Sequence, residues 1–414
     1  MAIIKAFKAI RPISELAARV AALPYDVMDS QEARAMAKGN PYSFLHIDKA
    51  EINLPLDVEL HSQVVYEKAA ENYKKFKREG VFLQDSTPSF YIYQQTMAGR
   101  TQRGLVACVS VDDYLDNRIK KHELTRMDKE MDRTRHIEYC NAHTGPIFLT
   151  YLANSSVSQL LQLWIENNQV IYDFISEDGV RHQVWQINRQ KVVEQLVNLL
   201  QAVSSLYIAD GHHRAASAVN VALKKRRDMT DPTGQEDFNY FPAVLFPSDE
   251  LEIMDYNRVV KDLNGLTEKE FMQKIGAAFT VEEALTKPFR PKSKQTFGMY
   301  LAGRWYKLTA KEGSFDSREP VSSLAVSILQ NNLLEPILGI ADPRTDDRID
   351  FVGGIRGLVE LEKRVKEGMK VAFSLYPTTI QELMEIADAD RLMPPKSTWF
   401  EPKLRSGLFI HELD

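Results

Sequence analysis

The stretch Leu206-Tyr-Ile-Ala-Asp-Gly-His-His-Arg-Ala-Ala-Ser-Ala218 constrains this chain more than any other. An apolar run from Leu206 to Ala209 stops at Asp210-Gly211, and small residues from Ala215 to Ala222 then recur at helical spacing toward Lys224-Lys-Arg-Arg227. The pattern predicts a strand, a tight turn and a helix in immediate succession. At such a junction the first helical N–H groups lack partners and the helix dipole places partial positive charge, so an anion is favoured there. Gly211 lets the backbone approach a ligand closely, and Ala215 and Ala216 leave little side chain in the way. Asp210, at the carboxyl end of the strand, is placed either to take a proton from an acceptor hydroxyl or to hold a magnesium ion. Ordinary cap and turn chemistry accounts for Asp210 and Gly211. It leaves His212, His213 and Arg214 unexplained, and together the five positions point to phosphoryl chemistry.

A second polar stretch spans residues 117–146, where Lys121, His122, Glu123 and Arg126 stand among many other charged residues. Its apolar positions are too sparse to bury a helix well, so one reading is a solvated, salt-bridged segment. The other is a segment lining a polar site, its cations answering phosphate charge and a carboxylate serving as base.

Asp210-Gly-His-His-Arg214 resembles the signature of the ParB/sulfiredoxin-like superfamily, in which a strand–turn–helix element binds nucleotide phosphates, and its closest variants are free serine kinases. Lys121-His-Glu123 is similar to the element that precedes this motif in the superfamily and faces the same pocket, although nearly 90 residues separate the two here. Three segments are similar to a bacterial family known only as domain of unknown function 1015: Leu23-Pro-Tyr-Asp-Val27, Asn40-Pro-Tyr-Ser-Phe-Leu-His46, and the run from Pro394 to Lys403. The resemblance implies phosphoryl transfer between a nucleotide and a small hydroxyl metabolite, with free L-serine or O-phosphoserine as the substrate. Asp210, Glu123 and His212 would be catalytic. Gly211, His212, His213, Arg214, Lys121, His122 and Arg126 would hold phosphates, Asp210 would also serve magnesium, and ATP or ADP would be the nucleotide. The same resemblance leaves open a nucleotide-responsive, ParB-like switch that binds DNA or a protein partner. A sulfiredoxin-like reductase needs a cysteine at the turn, where this chain has His212.

A chain of 414 residues exceeds what one core usually supports, and the expected units are 1–112, 113–263 and 264–414, the middle one a ParB/sulfiredoxin-like core with an insertion. Several adjacent strands look hairpin-connected, as around Met97-Ala-Gly-Arg100 and Asp178-Gly179, which predicts a mixed α+β fold rather than an all-parallel sheet. The 52 basic and 57 acidic residues give a net charge of -5, which makes no electrostatic case for a protein that wraps nucleic acid. Cys108 and Cys140 form neither a ligand-spaced set nor a disulfide framework, so a reducing cytoplasm is expected. There is no Gly-x4-Gly-Lys-Ser/Thr loop, no Gly-x-Gly-x-x-Gly turn and no zinc-spaced Cys/His set.

Further along, residues 56–79 read as an amphipathic helix. Asn257 and Arg258 sit at a strand end, as a phosphate or carboxylate contact or as a surface pair, and Gly353-Gly-Ile-Arg-Gly357 could cradle an anion. The terminal stretch from Met393 to His411 combines prolines with Trp399, Phe400, Phe409 and Ile410, so it is expected to pack on the core. Lys396, Ser397 and Thr398 would then close over the anion site.

Overall fold

A computed structural model of the chain describes residues 2–414 and shows a mixed α+β fold in two units, one built from the chain up to Leu251 together with Pro402–Asp414, the other from Glu252–Glu401. The first unit is organised on a nine-stranded sheet. Its order runs Ile119–Lys120, Leu206–Asp210, Ile147–Tyr151, Tyr240–Pro247, Arg100–Ser110, Phe90–Met97, Arg181–Ile187, Tyr172–Ile175, with Ile4–Lys5 also paired to Arg100–Ser110. The motif strand is parallel to Ile119–Lys120 and antiparallel to Ile147–Tyr151, which is in turn parallel to Tyr240–Pro247. Hairpins supply much of the rest. Phe90–Met97 and Arg100–Ser110 meet through Ala98-Gly99, both at positive φ (50° and 81°), the geometry a two-residue hairpin turn requires.

All eight residues of Tyr240–Pro247 are buried, because strands at the centre of a sheet covered on both faces read as continuous apolar runs. The main core joins Leu105, Val109, Leu149, Ile208 and Leu245 of the sheet to Val157, Leu161, Leu196, Ala218 and Ala222 of the helices. A smaller cluster under the N-terminal helices contains Phe44, Ile47, Val65, Tyr73, Phe76 and, from the far end of the chain, Ile410.

Two helical expectations change. The helix expected over 56–79 spans Gln63–Arg78, since Leu56 and Leu60 are 88% and 48% exposed and offer no face to bury. The polar stretch at 117–146 does form a buried-face helix, Met127–Cys140. Beside Ile137 and Cys140 it buries Asp132 and His136, and both are bonded: Asp132 accepts from Tyr66 Oη (2.8 Å), His61 Nδ1 (3.0 Å) and Arg133 Nε (2.9 Å), and His136 Nε2 meets Ile47 O at 3.0 Å. Hydrogen bonding here replaces the apolar stripe that the sequence lacks.

The expected boundary at 112/113 would cut Arg100–Ser110 from its neighbour Tyr240–Pro247, so the first two expected units share one sheet. The boundary at 263/264 would remove Tyr256–Val260 from the second unit, whose antiparallel sheet runs Phe279–Glu283, Arg304–Ala310, Thr296–Leu301, Val371–Ser374, Tyr256–Val260, Ile349–Gly353. Val259, Tyr300, Trp305, Val352, Leu361 and Ala372 form its core. No helix among the described residues is long and apolar enough to cross a membrane.

Candidate functional site

The motif folds as its sequence dictates. Leu206–Asp210 is a strand, Gly211 takes φ +97°, and His212–Asp228 is a helix. Glycine is favoured at 211 because the backbone is left-handed at φ +97°, and a Cβ there would also stand 3.1 Å from Arg214 Nε, a tight approach that the arginine would have to yield to. Small residues follow because the helix lies close to its neighbours. Ala215, Ala216, Ser217, Ala218 and Ala222 are buried, and Ser217 Oγ donates to Glu130 O at 3.0 Å, tying the motif helix to Met127–Cys140.

Asp210 Oδ2 accepts from Lys403 Nζ at 3.1 Å, and Oδ1 lies 3.9 Å from Arg214 Nη2. Burial would raise the Asp210 carboxyl, but Lys403 and Arg214 override it and hold the group well below the usual carboxylate range. Arg214 Nη1 donates to Pro146 O at 2.6 Å, and Nη2 lies 3.9 Å from Asp26 Oδ2, too long for a hydrogen bond. Its buried Nε has no partner. A cavity of about 30 Å³ adjoins Arg214, lined also by Tyr25, Arg133, His143, Thr144 and Ser406. That volume takes one or two waters, not a nucleotide.

The Lys121–Arg126 loop meets the motif at two points despite the long separation in sequence. His122 Nε2 lies 3.4 Å from His212 Nε2, with ring planes at 90°, and Arg126 N donates to His213 Nε2 at 3.0 Å. Glu123 therefore sits on a loop anchored to the motif on both sides. Lys121 turns its ammonium to the Tyr114 ring, 4.1 Å from the centroid, and Arg126 pairs with Asp128 at 2.8 Å. His122 and His212 are 2% and 5% exposed, and the Nδ1 of each is buried without a partner. Burial lowers His122 to about 4 against a weaker opposing pull from Asp210, and it lowers His212 well below its ordinary value. Both imidazoles are neutral near pH 7, so they act as hydrogen-bonding groups there and not as cations. His213 is lowered too, first by burial, and its Nε2 is the accepting nitrogen.

Lys403 is the residue that sequence reasoning missed. The expectation named Lys396, Ser397 and Thr398 from this tail and not Lys403, whose Nζ reaches Asp210. A usable signal was the small pair Ser406-Gly407 after Lys403-Leu-Arg405, which lets the chain lie close against the sheet.

Arg258, Lys396, Ser397 and Thr398 belong to the second unit. Neither Asn257 nor Arg258 is a surface residue, at 0% and 4% exposure. Arg258 donates to Tyr256 O and, at 2.9 Å, to Lys396 O, with the Tyr256 and Phe351 ring centroids at 5.9 and 5.3 Å. Burial lowers this guanidinium to about 10. Ser397 Oγ donates to Pro394 O at 2.6 Å, and Ser397 O accepts from Thr378 Oγ1 at 2.9 Å. The glycines at 353 and 354 serve packing: a Cβ at either would stand 2.7 Å from Trp399 Cε2 or 2.6 Å from Asp255 Oδ1. Side chains already fill the space an anion would need there.

The site is thus a strand–glycine–helix junction whose acid is held by two cations and whose neighbouring loop is docked against it. The profile of a family described as "Protein of unknown function (DUF1015)" matches residues 4–327, and the chain belongs to that family. No curated protein matches the chain. Among solved structures it is similar to a free serine kinase variant in complex with AMP, at 13% identity and a TM-score of 0.38, over 73% of this chain and 91% of that one. It is also similar to a conserved hypothetical protein from Pyrococcus furiosus, at 13% identity and a TM-score of 0.37, over 74% of this chain and 95% of that one. SbnI from Staphylococcus aureus, truncated at its C-terminus, shows 12% identity and a TM-score of 0.38, over 74% of this chain and 87% of that one. These likenesses are distant.

Proposed function

We propose that this protein transfers a phosphoryl group between a nucleotide, ATP or ADP, and a small hydroxyl metabolite, free L-serine or O-phosphoserine being the pair that the Asp210-Gly-His-His-Arg214 resemblance implies. The observation that carries the reading is convergence: the His122–Arg126 loop is docked on His212 and His213 at the start of the helix that follows Asp210. The free N–H groups of that helix start, with Gly211 leaving the backbone bare, suit phosphate oxygens. Arg214 adds a fixed positive charge, and neutral His212 and His122 offer ring nitrogens as hydrogen-bonding groups.

In the transfer, the acceptor oxygen bonds to phosphorus, the phosphorus–oxygen bond to the nucleotide breaks, and the hydroxyl proton leaves to a carboxylate. Glu123 suits that last task better than Asp210, because an acid held strongly ionised by Lys403 is a weak proton acceptor near pH 7. Asp210 then orients the hydroxyl. Magnesium commonly rests on one or two carboxylates plus substrate phosphates, so Asp210 through Oδ1 fits an ion that arrives with nucleotide. Among the described residues no group of three or more His, Cys, Asp or Glu is arranged to hold a metal by itself. When bound, such an ion would neutralise phosphate charge.

The test is phosphorus NMR on the purified protein with magnesium, giving it ATP or ADP plus L-serine in one series and O-phosphoserine with or without nucleotide in another. Interconversion, or release of phosphate from phosphoserine, that is absent in a folded Asp210→Asn variant supports the reading and fixes its direction. Nucleotide binding without conversion of either substrate sinks the serine assignment and favours a nucleotide-responsive switch.

A further inference from the structure

Residues Pro402–Asp414 cross the first unit as a strap. Ser406 and Ala22 exchange main-chain hydrogen bonds of 2.9 and 3.2 Å, as do Ile410 and Ile10 at 2.9 and 3.0 Å. Gly407, at φ +83°, lies so close to Phe44 that a Cβ would stand 2.5 Å from its Cγ. Arg405, 3% exposed, donates to Ser176 Oγ at 3.1 Å and to Asp178. Gln95, itself fully buried, donates through Nε2 to Lys403 O at 2.9 Å. The backbone of Lys403 is thus clamped to the sheet, and its side chain is only 11% exposed where it reaches Asp210. A surface lysine meeting an acid by chance has neither feature, since exposed pairs are held loosely and contribute little.

Phosphoryl transfer gains most from fixed cations at the transferring group. Two cations approach the Asp210 carboxylate itself, Lys403 Nζ at 3.1 Å and Arg214 Nη2 at 3.9 Å, with side chains only 11% and 12% exposed. These two address different oxygens of the same carboxylate. We propose that Lys403 belongs to the phosphoryl-transfer site, fixing the Asp210 carboxylate and supplying, opposite Arg214, the compact cation that meets the nucleotide phosphates. This inference rests on the phosphoryl-transfer reading and extends the site to a strap 193 residues beyond the motif acid. An ammonium is a point charge that neutralises phosphate without the two-pronged geometry of arginine.

The test compares full-length wild type, Lys403→Met and Lys403→Arg for ADP affinity by calorimetry with magnesium and for transfer rates, with melting curves as a folding control. Lys403→Met is expected to bind ADP about 10-fold more weakly and to lose about 100-fold in kcat, with KM for the hydroxyl substrate changing less than about 3-fold. Lys403→Arg should recover at least about a third of the lost ADP affinity on a logarithmic scale. Affinity and turnover within about 2-fold of wild type in Lys403→Met overturn the proposal. If wild type transfers no phosphoryl group, the functional reading falls by itself, and the ADP arm alone decides on Lys403: weaker binding in Lys403→Met keeps it in the anion site, and equal binding, or none in wild type, removes it. Should Lys403→Met not fold, Lys403→Gln, which drops the charge and keeps a donor, replaces it in every comparison.

Discussion

Two regions of this molecule present a largely buried arginine among polar neighbours, one just after a strand at Arg214 and one in mid-strand at Arg258, and the fold treats them differently. At Asp210–Arg214 in the first unit, hydrogen-bonding capacity is left unspent. Arg214 Nε and the Nδ1 atoms of His122 and His212 are buried without partners, and the two carboxylates facing Arg214 stand 3.9 Å from its Nη2, beyond hydrogen-bond reach. At Arg258 in the second unit, the guanidinium donates to two main-chain carbonyls between two aromatic rings, and Ser397 is spent on Pro394. Buried polar groups are nearly always bonded, so a cluster of exceptions marks a place shaped for something else. A cluster with every group satisfied is read first as architecture.

The sharpest break would come from activity. Asp210→Asn should lower phosphoryl transfer by about 1000-fold or more in the phosphorus NMR assay while far-UV circular dichroism stays native, since the acid's charge is what orients the hydroxyl. Residual turnover within 10-fold of wild type would deny the first region its distinction. Next in size is Gly211→Ala. A side chain at φ +97° pressed on Arg214 should cost about 2–3 kcal/mol by urea unfolding, and a variant as stable as wild type would show that the turn is not under this constraint. Arg258→Met should cost about 1–3 kcal/mol, because Tyr256 O and Lys396 O lose their donor, and should leave transfer within about 3-fold. Lost activity at unchanged stability would show that Arg258 contacts a ligand, and the two regions would then be alike.

The strand, turn and helix around Gly211 were legible because the apolar run, the glycine and the small-residue period are local signals acting within a dozen residues. The mixed sheet was legible from its hairpins, Ala98-Gly99 above all. The Met127–Cys140 helix was not, because half of its buried residues are polar, Asp132 and His136 beside Ile137 and Cys140, and the partners Tyr66, His61 and Ile47 are remote in sequence. Polar burial has no periodic signature in one sequence. For the same reason the tail was placed on the core from its aromatics, while Lys403 was not singled out: its reach to Asp210 depends on Gln95 and Gly407, which no local pattern links to it. Unit boundaries failed because Tyr240–Pro247 returns to a sheet begun at Phe90, a pairing at long range.

The smallest expected effect tests the strap that carries Lys403 in the first region. His182, fully buried, lies 2.7 Å from Tyr93 Oη through Nδ1 and accepts from Arg405 Nε at 3.3 Å through Nε2, with Phe174 stacked on it at 5.1 Å and Asp178 and Ser176 beside it. Burial first, then Arg405, lowers His182 to about 3, with Asp178 pulling weakly the other way. The ordinary value in the unfolded chain is about 6.5. Between these two values the unfolded state binds the extra proton, so stability is intact above about pH 6.5 and falls as the pH drops toward 3, by at most about 1.4 kcal/mol per pH unit. His182→Gln, a neutral group that can still accept from Arg405, should therefore be less acid-sensitive than wild type in urea unfolding between pH 6 and pH 4, by about 1 kcal/mol per pH unit. His122 and His143, lowered to about 4 and about 3 by burial, titrate in the same direction, so the slope is expected to shrink and not to vanish. An unchanged slope would mean that the pocket under Arg405 takes up a proton without loosening, and that Lys403 keeps its place on Asp210 by the main-chain bonds of the strap alone.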